Sequence, residues 1–137
     1  MRTNLEGHRA EFEQLVRMAN EDYARTKIIR IAYDFTRLET DWSWPRQESR
    51  WGITQSRWDE YRALFRTLQL PAGLDRAGER YEGVHLMVYG VGMAGEGREY
   101  GYLWSRERPT AINNPGKQEY TTRPFGGEWY RYDWVIY

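Results

Sequence analysis

From residue 3 to about residue 25, Leu5, His8, Phe12, Leu15, Met18 or Ala19, and Tyr23 recur at steps of three and four. That spacing lays one apolar stripe along an α-helix. Thr3 or Asn4 can cap its start, and Glu13 and Arg17 can pair one turn apart on the wet side. At Lys27 the period changes to two. Ile29, Ile31, Tyr33 and Phe35 alternate with Arg30, Ala32, Asp34 and Thr36, which predicts a half-buried strand. Residues 40–52 have neither period and are punctuated by Pro45 and Gly52. The helical period returns at Arg57, where Trp58, Tyr61, Leu64, Phe65 and Leu68 form a stripe. Ser56-x-x-Asp59 resembles a capping box, and Pro71 and Gly73 end the helix.

The rest of the chain reads as strands. Residues 83–90 put Val84, Leu86 and Val88 on one face and His85, Met87 and Tyr89 on the other. Residues 98–105 put Tyr100, Tyr102 and Trp104 together, and the glycines from Gly90 to Gly97 join the two strands as a hairpin. A Pro/Asn/Gly loop spans 109–118, a short strand 119–123 and a last strand about 128–136. Trp104 and Trp129 are expected in the core. The order α-β-α-β-β-β predicts one α+β domain over 1–137, with two helices packed on one face of a four- to five-stranded antiparallel sheet.

Composition narrows the chemistry. Of 137 residues, 16% are aromatic, with 7 Trp and 11 Tyr. Such side chains bury large areas and still carry a polar handle. No cysteine is present, so disulfides, thiolate catalysis and Cys-ligated zinc are excluded. Basic and acidic residues balance at 20 each, which gives no electrostatic footprint for nucleic acid. The first residues lack the apolar core of a signal peptide, and no run approaches the ~20 apolar residues of a membrane helix. A cytoplasmic location, with no membrane partner, is therefore expected.

Local motifs point away from catalysis. Gly90-Val-Gly92-Met-Ala-Gly95 spells a dinucleotide fingerprint, but a strand pattern follows it where pyrophosphate binding needs a helix N-terminus. His8 and His85 are the two histidines, at no metal-ligand spacing, and read as structural. No nucleophile elbow or carboxylate pair stands out, so neither catalytic residue, metal nor cofactor is assigned. The richest polar-aromatic segment is Asp41, Trp42, Trp44, Arg46, Glu48, Arg50 and Trp51. Aromatics with Arg are the side chains that anchor protein interfaces. Glu96 and Arg98, in the glycine hairpin, are the second candidates for partner contact. The same indoles could instead stack a sugar or base, or cover the sheet.

A wider order of motifs carries a resemblance. It runs Trp58-Asp-Glu-Tyr61-Arg-Ala-Leu-Phe65, Leu68-x-Leu70, Gly73-Leu74-x-Arg76, Gly101-Tyr102-Leu-Trp104-Ser105 and Gly127-Glu-Trp129-Tyr130-x-Tyr132. This resembles a family of small uncharacterised proteobacterial proteins, many of them predicted lipoproteins, and implies a fold but no activity. The functional expectation is a non-catalytic protein-binding module. Its most concrete form is a cytoplasmic immunity-type inhibitor that neutralises a bacterial toxin. The alternatives are a carbohydrate- or nucleobase-binding domain and a small enzyme.

Overall fold

The computed structural model describes residues 4–39, 53–76, 83–93 and 96–137, with side chains at 92, 93 and 96 excepted. Three helices, α1 (Asn4–Gly7), α2 (Arg9–Thr26) and α3 (Gln55–Leu68), accompany eight strands. The strands are β1 (Ile28–Ile31), β2 (Thr36–Leu38), β3 (Leu74–Arg76), β4 (Val84–Met93), β5 (Glu96–Trp104), β6 (Ile112–Asn114), β7 (Gln118–Gly126) and β8 (Trp129–Ile136). All join one antiparallel sheet in the order β2-β1-β3-β4-β5-β8-β7-β6. No described helix is long and apolar enough to cross a membrane.

This corrects the expected fold, a four- to five-stranded sheet with two helices in the order α-β-α-β-β-β. The extra strands β2, β3 and β6 are three residues each. A three-residue strand is too short to display a period of two. Strand β7 was expected at 119–123 but runs through Pro124, which has no N–H to donate. Beyond Tyr120 its outer side is unpaired, so the proline breaks no ladder there. The expected 27–36 strand folds back on itself: Ala32 N donates to Phe35 O, and β2 returns along β1. Ile28 and Ile31, not Ile29 and Ile31, are the deeply buried pair. The first helix divides at His8 after Gly7, a poor helix former. The cap of α3 is Thr54, whose hydroxyl accepts from Arg57 N, rather than Ser56.

The main core lies between the sheet and the two long helices. Phe12, Leu15 and Ala19 of α2 and Trp58, Tyr61, Phe65 and Leu68 of α3 share it with Leu74, Val84, Leu86, Tyr102 and Trp129. Phe12 meets Tyr102 and Trp129 edge to face, at 5.2 and 5.9 Å, which places Trp129 in the core as expected. Trp104 is half-buried at its margin. One charge joins the helices inside this layer. Asp22 is buried, and accepts from Tyr61 Oη at 2.5 Å, Arg57 Nε at 3.0 Å and Arg25 Nη2 at 3.2 Å. Leaving such a buried carboxylate unpaired would cost about 3–5 kcal/mol.

One irregularity sets which side chain faces which way. Met87 pairs with Gly101 but Tyr89 pairs with Tyr100, so Val88 is an extra residue in β4. Tyr89 therefore leaves the face of His85 and Met87, where alternation had placed it, and stacks on Tyr100. A Cβ on Gly101 would lie 2.1 Å from Leu86 O. Gly101→Ala should lower stability by at least ~1–3 kcal/mol, the usual cost of overpacking. At Gly7 nothing lies within 4 Å of an added Cβ. Gly7→Ala should leave stability unchanged or raise it by up to ~1 kcal/mol. Urea midpoints of the two variants check both expectations, and an unperturbed Gly101→Ala would mean the bulge is not glycine-dependent.

Candidate functional site

The two faces of β5 build two different sites. On the helix side, Arg98, Tyr100 and Tyr102 alternate along β5, opposite Val135, Asp133 and Arg131 of β8. The helices cover Tyr102 and Trp129 but not the far end of these strands. Tyr89 and Tyr100 stack there, with centroids 5.1 Å apart and planes 13° apart, and remain 39% and 38% exposed. Next to them Val91 is 60% exposed.

This end of the sheet forms an open groove of about 640 Å³ lined by Tyr100, Thr121, Arg98, Arg123, Arg131 and Asp133, among others. Arg98 pairs bidentately with Asp133, Nε at 3.2 Å and Nη2 at 2.8 Å, and its guanidinium lies 5.5 Å from the Tyr100 ring. Arg123 and Arg131 are direct cross-strand partners. Arg131 lies over Phe125, at 5.3 Å. Among the described residues no carboxylate forms an ion pair with either of these two. The groove therefore carries a surplus of positive charge on a surface with exposed aromatic rings.

The opposite face is polar and aromatic at depth. Arg30, Asp75 and His85 stand side by side across β1, β3 and β4. His85 Nε2 is hydrogen-bonded to Tyr120 Oη at 2.8 Å, and its ring meets Tyr132 edge to face at 4.5 Å. Strands β4 and β7 are three strand spacings apart, roughly 14 Å on a flat sheet. The sheet must curl toward this face for the two side chains to meet. Tyr132 donates to Glu99 Oε2 at 2.7 Å. Met87, Leu103, Tyr120 and Tyr132 make a second small core beside these groups. The segment after β5 runs over them, held by Ser105, whose N donates to Glu128 O and whose Oγ donates to Glu107 O. Beneath it is a cavity of about 410 Å³ lined by Asp75, His85, Arg108, Pro109, Tyr120 and Trp134, among others.

Burial drives the titration of this face. The Asp75 carboxyl is pushed up to about 6 by burial, opposed by Arg30 and helped by Glu99. His85 is held down at about 4 by burial, so the imidazole is neutral.

Of the residues that the sequence put forward as a partner surface, Asp41, Trp42, Trp44, Arg46, Glu48, Arg50 and Trp51 lie outside the described residues. Glu96 is described only through its backbone pairing with Met93. Arg98 is in the groove. Sequence reasoning passed over Tyr89, Arg123, Arg131 and Asp133 because their convergence depends on the bulge and on the β7–β8 register. Gly90 and Gly92 of the glycine motif lie in β4 and pair with β5, while Gly95 lies outside the described residues. His8 sits at the start of α2, 3.9 Å from Glu11.

Asp75 and His85 pull stability in opposite directions. The folded Asp75 binds a proton up to about pH 6, while its unfolded value is 3.8. Its contribution is therefore full below 3.8 and is lost as pH rises through 6. The unfolded His85 takes a proton below 6.5, the folded one only below about 4. Its contribution is full above 6.5 and is lost as pH falls toward 4. Between pH 4 and 6 the two slopes oppose. Urea unfolding across that range should show stability rising with pH in Asp75→Asn and falling with pH in His85→Gln, each by on the order of 1 kcal/mol per pH unit. Equal slopes in the two variants would refute the assignment. The chain matches no protein-family model, no curated protein and no solved structure.

Proposed function

We propose that this protein is a non-catalytic protein-binding module of the cytoplasm, and that its helix-side groove receives an acidic segment of its partner. In the concrete form proposed, it is an immunity-type inhibitor and the partner is a bacterial toxin. One observation carries the reading: Arg123 and Arg131 face each other directly across β7 and β8. Like charges in that position are destabilising. A carboxylate from a partner would relieve the repulsion and gain two charge-assisted hydrogen-bonding groups at once. The stacked Tyr89 and Tyr100 beside them offer rigid aromatic area, and Arg98 packs near Tyr100 at the end away from the arginine pair. Tyr and Arg are the residue types in which binding energy concentrates. A partner with an acidic strip flanked by an apolar residue fits this surface in charge and in shape. The resemblance to the proteobacterial family is part of the same proposal.

The test separates stability from binding. After affinity capture from the native host, the purified partner is titrated against wild type, Arg123→Glu and Tyr100→Ala. Arg123→Glu replaces a repulsive cross-strand pair by an attractive one, so it should gain ~0.2–1 kcal/mol of stability. The same change should weaken binding by roughly thirtyfold or more, the scale of a hot-spot loss. Tyr100→Ala should also weaken binding, and wild-type affinity should fall with added salt. Full affinity in both variants would exclude the groove. Displacement of the partner by millimolar inorganic phosphate, or equal binding of nucleic acid, would exclude an acidic protein segment as the occupant.

A further inference from the structure

The cavity on the curled face is independent of the groove. Its volume, about 410 Å³, is within the range that encloses a small organic ligand. Three features restrict what would fit. Two aromatic rings, Tyr120 and Trp134, line it and meet edge to face at 5.6 Å. Trp134 Nε1 is already committed to Gln118 Oε1, at 3.0 Å, so the indole contributes apolar ring surface to the lining and not its donor. The third feature is Asp75. Among the described residues none donates a hydrogen bond to its carboxylate. Of its two cross-strand neighbours, Arg30 donates Nη1 to Leu74 O and Met87 Sδ, and His85 Nε2 is bonded to Tyr120. The half-buried Asp75 carboxylate thus lines the cavity with acceptor positions open to donors that a ligand brings.

We propose that this cavity binds a small, neutral, planar nitrogen heterocycle that presents two parallel N–H donors to Asp75 and lies against the Tyr120–Trp134 wall. The guanine edge, with a ring N–H beside an exocyclic amine, has that geometry. Both oxygens of one carboxylate accept from it, in the way that bidentate pairs read base edges. Neutrality follows from the surroundings. Asp75, Glu107 and Glu99 are balanced there by Arg108, Arg30 and Arg37, so the site holds no surplus charge for an ionic ligand to answer. Stacking on aromatic rings supplies the sequence-tolerant part of the affinity.

The probes are guanosine, adenosine and benzamidine, titrated by calorimetry against the full chain. The His85 ring resonance, from one of only two histidines, reports occupancy of the cavity by NMR. Guanosine should bind about 10- to 100-fold more tightly than adenosine, whose edge alternates donor and acceptor. Guanosine should also shift the His85 signal. Asp75→Asn, which keeps the shape but replaces one acceptor by a donor, should abolish the preference for guanosine. Trp134→Leu should weaken guanosine and adenosine alike. Circular dichroism and melting of both variants establish that they fold. If Asp75→Asn fails to fold, the wild-type guanosine-to-adenosine ratio with the His85 shift still decides the matter. Binding of benzamidine alone would overturn the neutral ligand in favour of a cation. Equal affinity for the two nucleosides, or no binding at millimolar concentration, would overturn the proposal.

Discussion

Gly101 lies opposite the point where β4 gains a residue, and a side chain on it would collide with the Leu86 carbonyl. The arrangement of both sites depends on this close approach. Before the bulge, Leu86 faces the helices and Met87 faces away; after it, Tyr89 joins Tyr100 on the helix side. Without the bulge, Val88 would stand opposite Tyr100 and no aromatic stack would form. The bulge also strengthens local twist, as such insertions do. Twist at this point suits a sheet that curls far enough for His85 to reach Tyr120.

Burial is distributed unequally between the faces, and this explains why polar groups collect where they do. The helix side is closed by large apolar residues of α2 and α3, with Asp22 as the buried charge that links them. The other face has no helix of its own among the described residues. Its protection comes from curvature, from aromatic side chains and from the segment around Glu107–Thr110. Such a cover excludes water less completely than a helical layer. Arg30, Asp75, His85, Glu99 and Tyr132 can therefore be retained there, each near a partner or the cavity. The burial that raises Asp75 and lowers His85 is the energetic trace of this intermediate environment.

The sequence was informative where a period persists. Helices α2 and α3, and strands β4, β5 and β8, were recognisable because each spans at least eight residues with a regular apolar repeat. The end of α3 was equally legible: Gln69 takes the left-handed cap and Gly73, at φ +77°, makes the turn in which a Cβ would strike Ile31 O. What escaped was non-local. Strand β3 is Leu74-Asp75-Arg76, and only its place between β1 and β4 makes it a strand. Arg76 reads as a surface residue, yet it is buried, with its guanidinium 3.9 Å from the Tyr23 ring and its Nε bonded to Asn20. His85 is hydrogen-bonded to Tyr120, but nothing local in the sequence signals that Asp75 stands beside it. The candidate groove was one residue deep in the sequence reading, through Arg98. Its cationic pair depends on the register of β7 against β8.

Strand β5 places the two sites on opposite parities of one short segment. Arg98 and Tyr100 serve the groove, while Glu99 is tied to Tyr132 on the other side. Side chains of opposite parity do not touch across a sheet, so a groove residue can change without altering the cavity's shape. Gly101 is the exception, because its contribution is made through the backbone. A side chain there would push on β4 at Leu86 and Val88, and would disturb the orientation of residues on both faces together. The surface residues are thus individually replaceable and the glycine between them is not. Under the proposed function, partner recognition can diverge by exchange of Arg123, Arg131 or Tyr100 while the fold is held by contacts that those residues do not make.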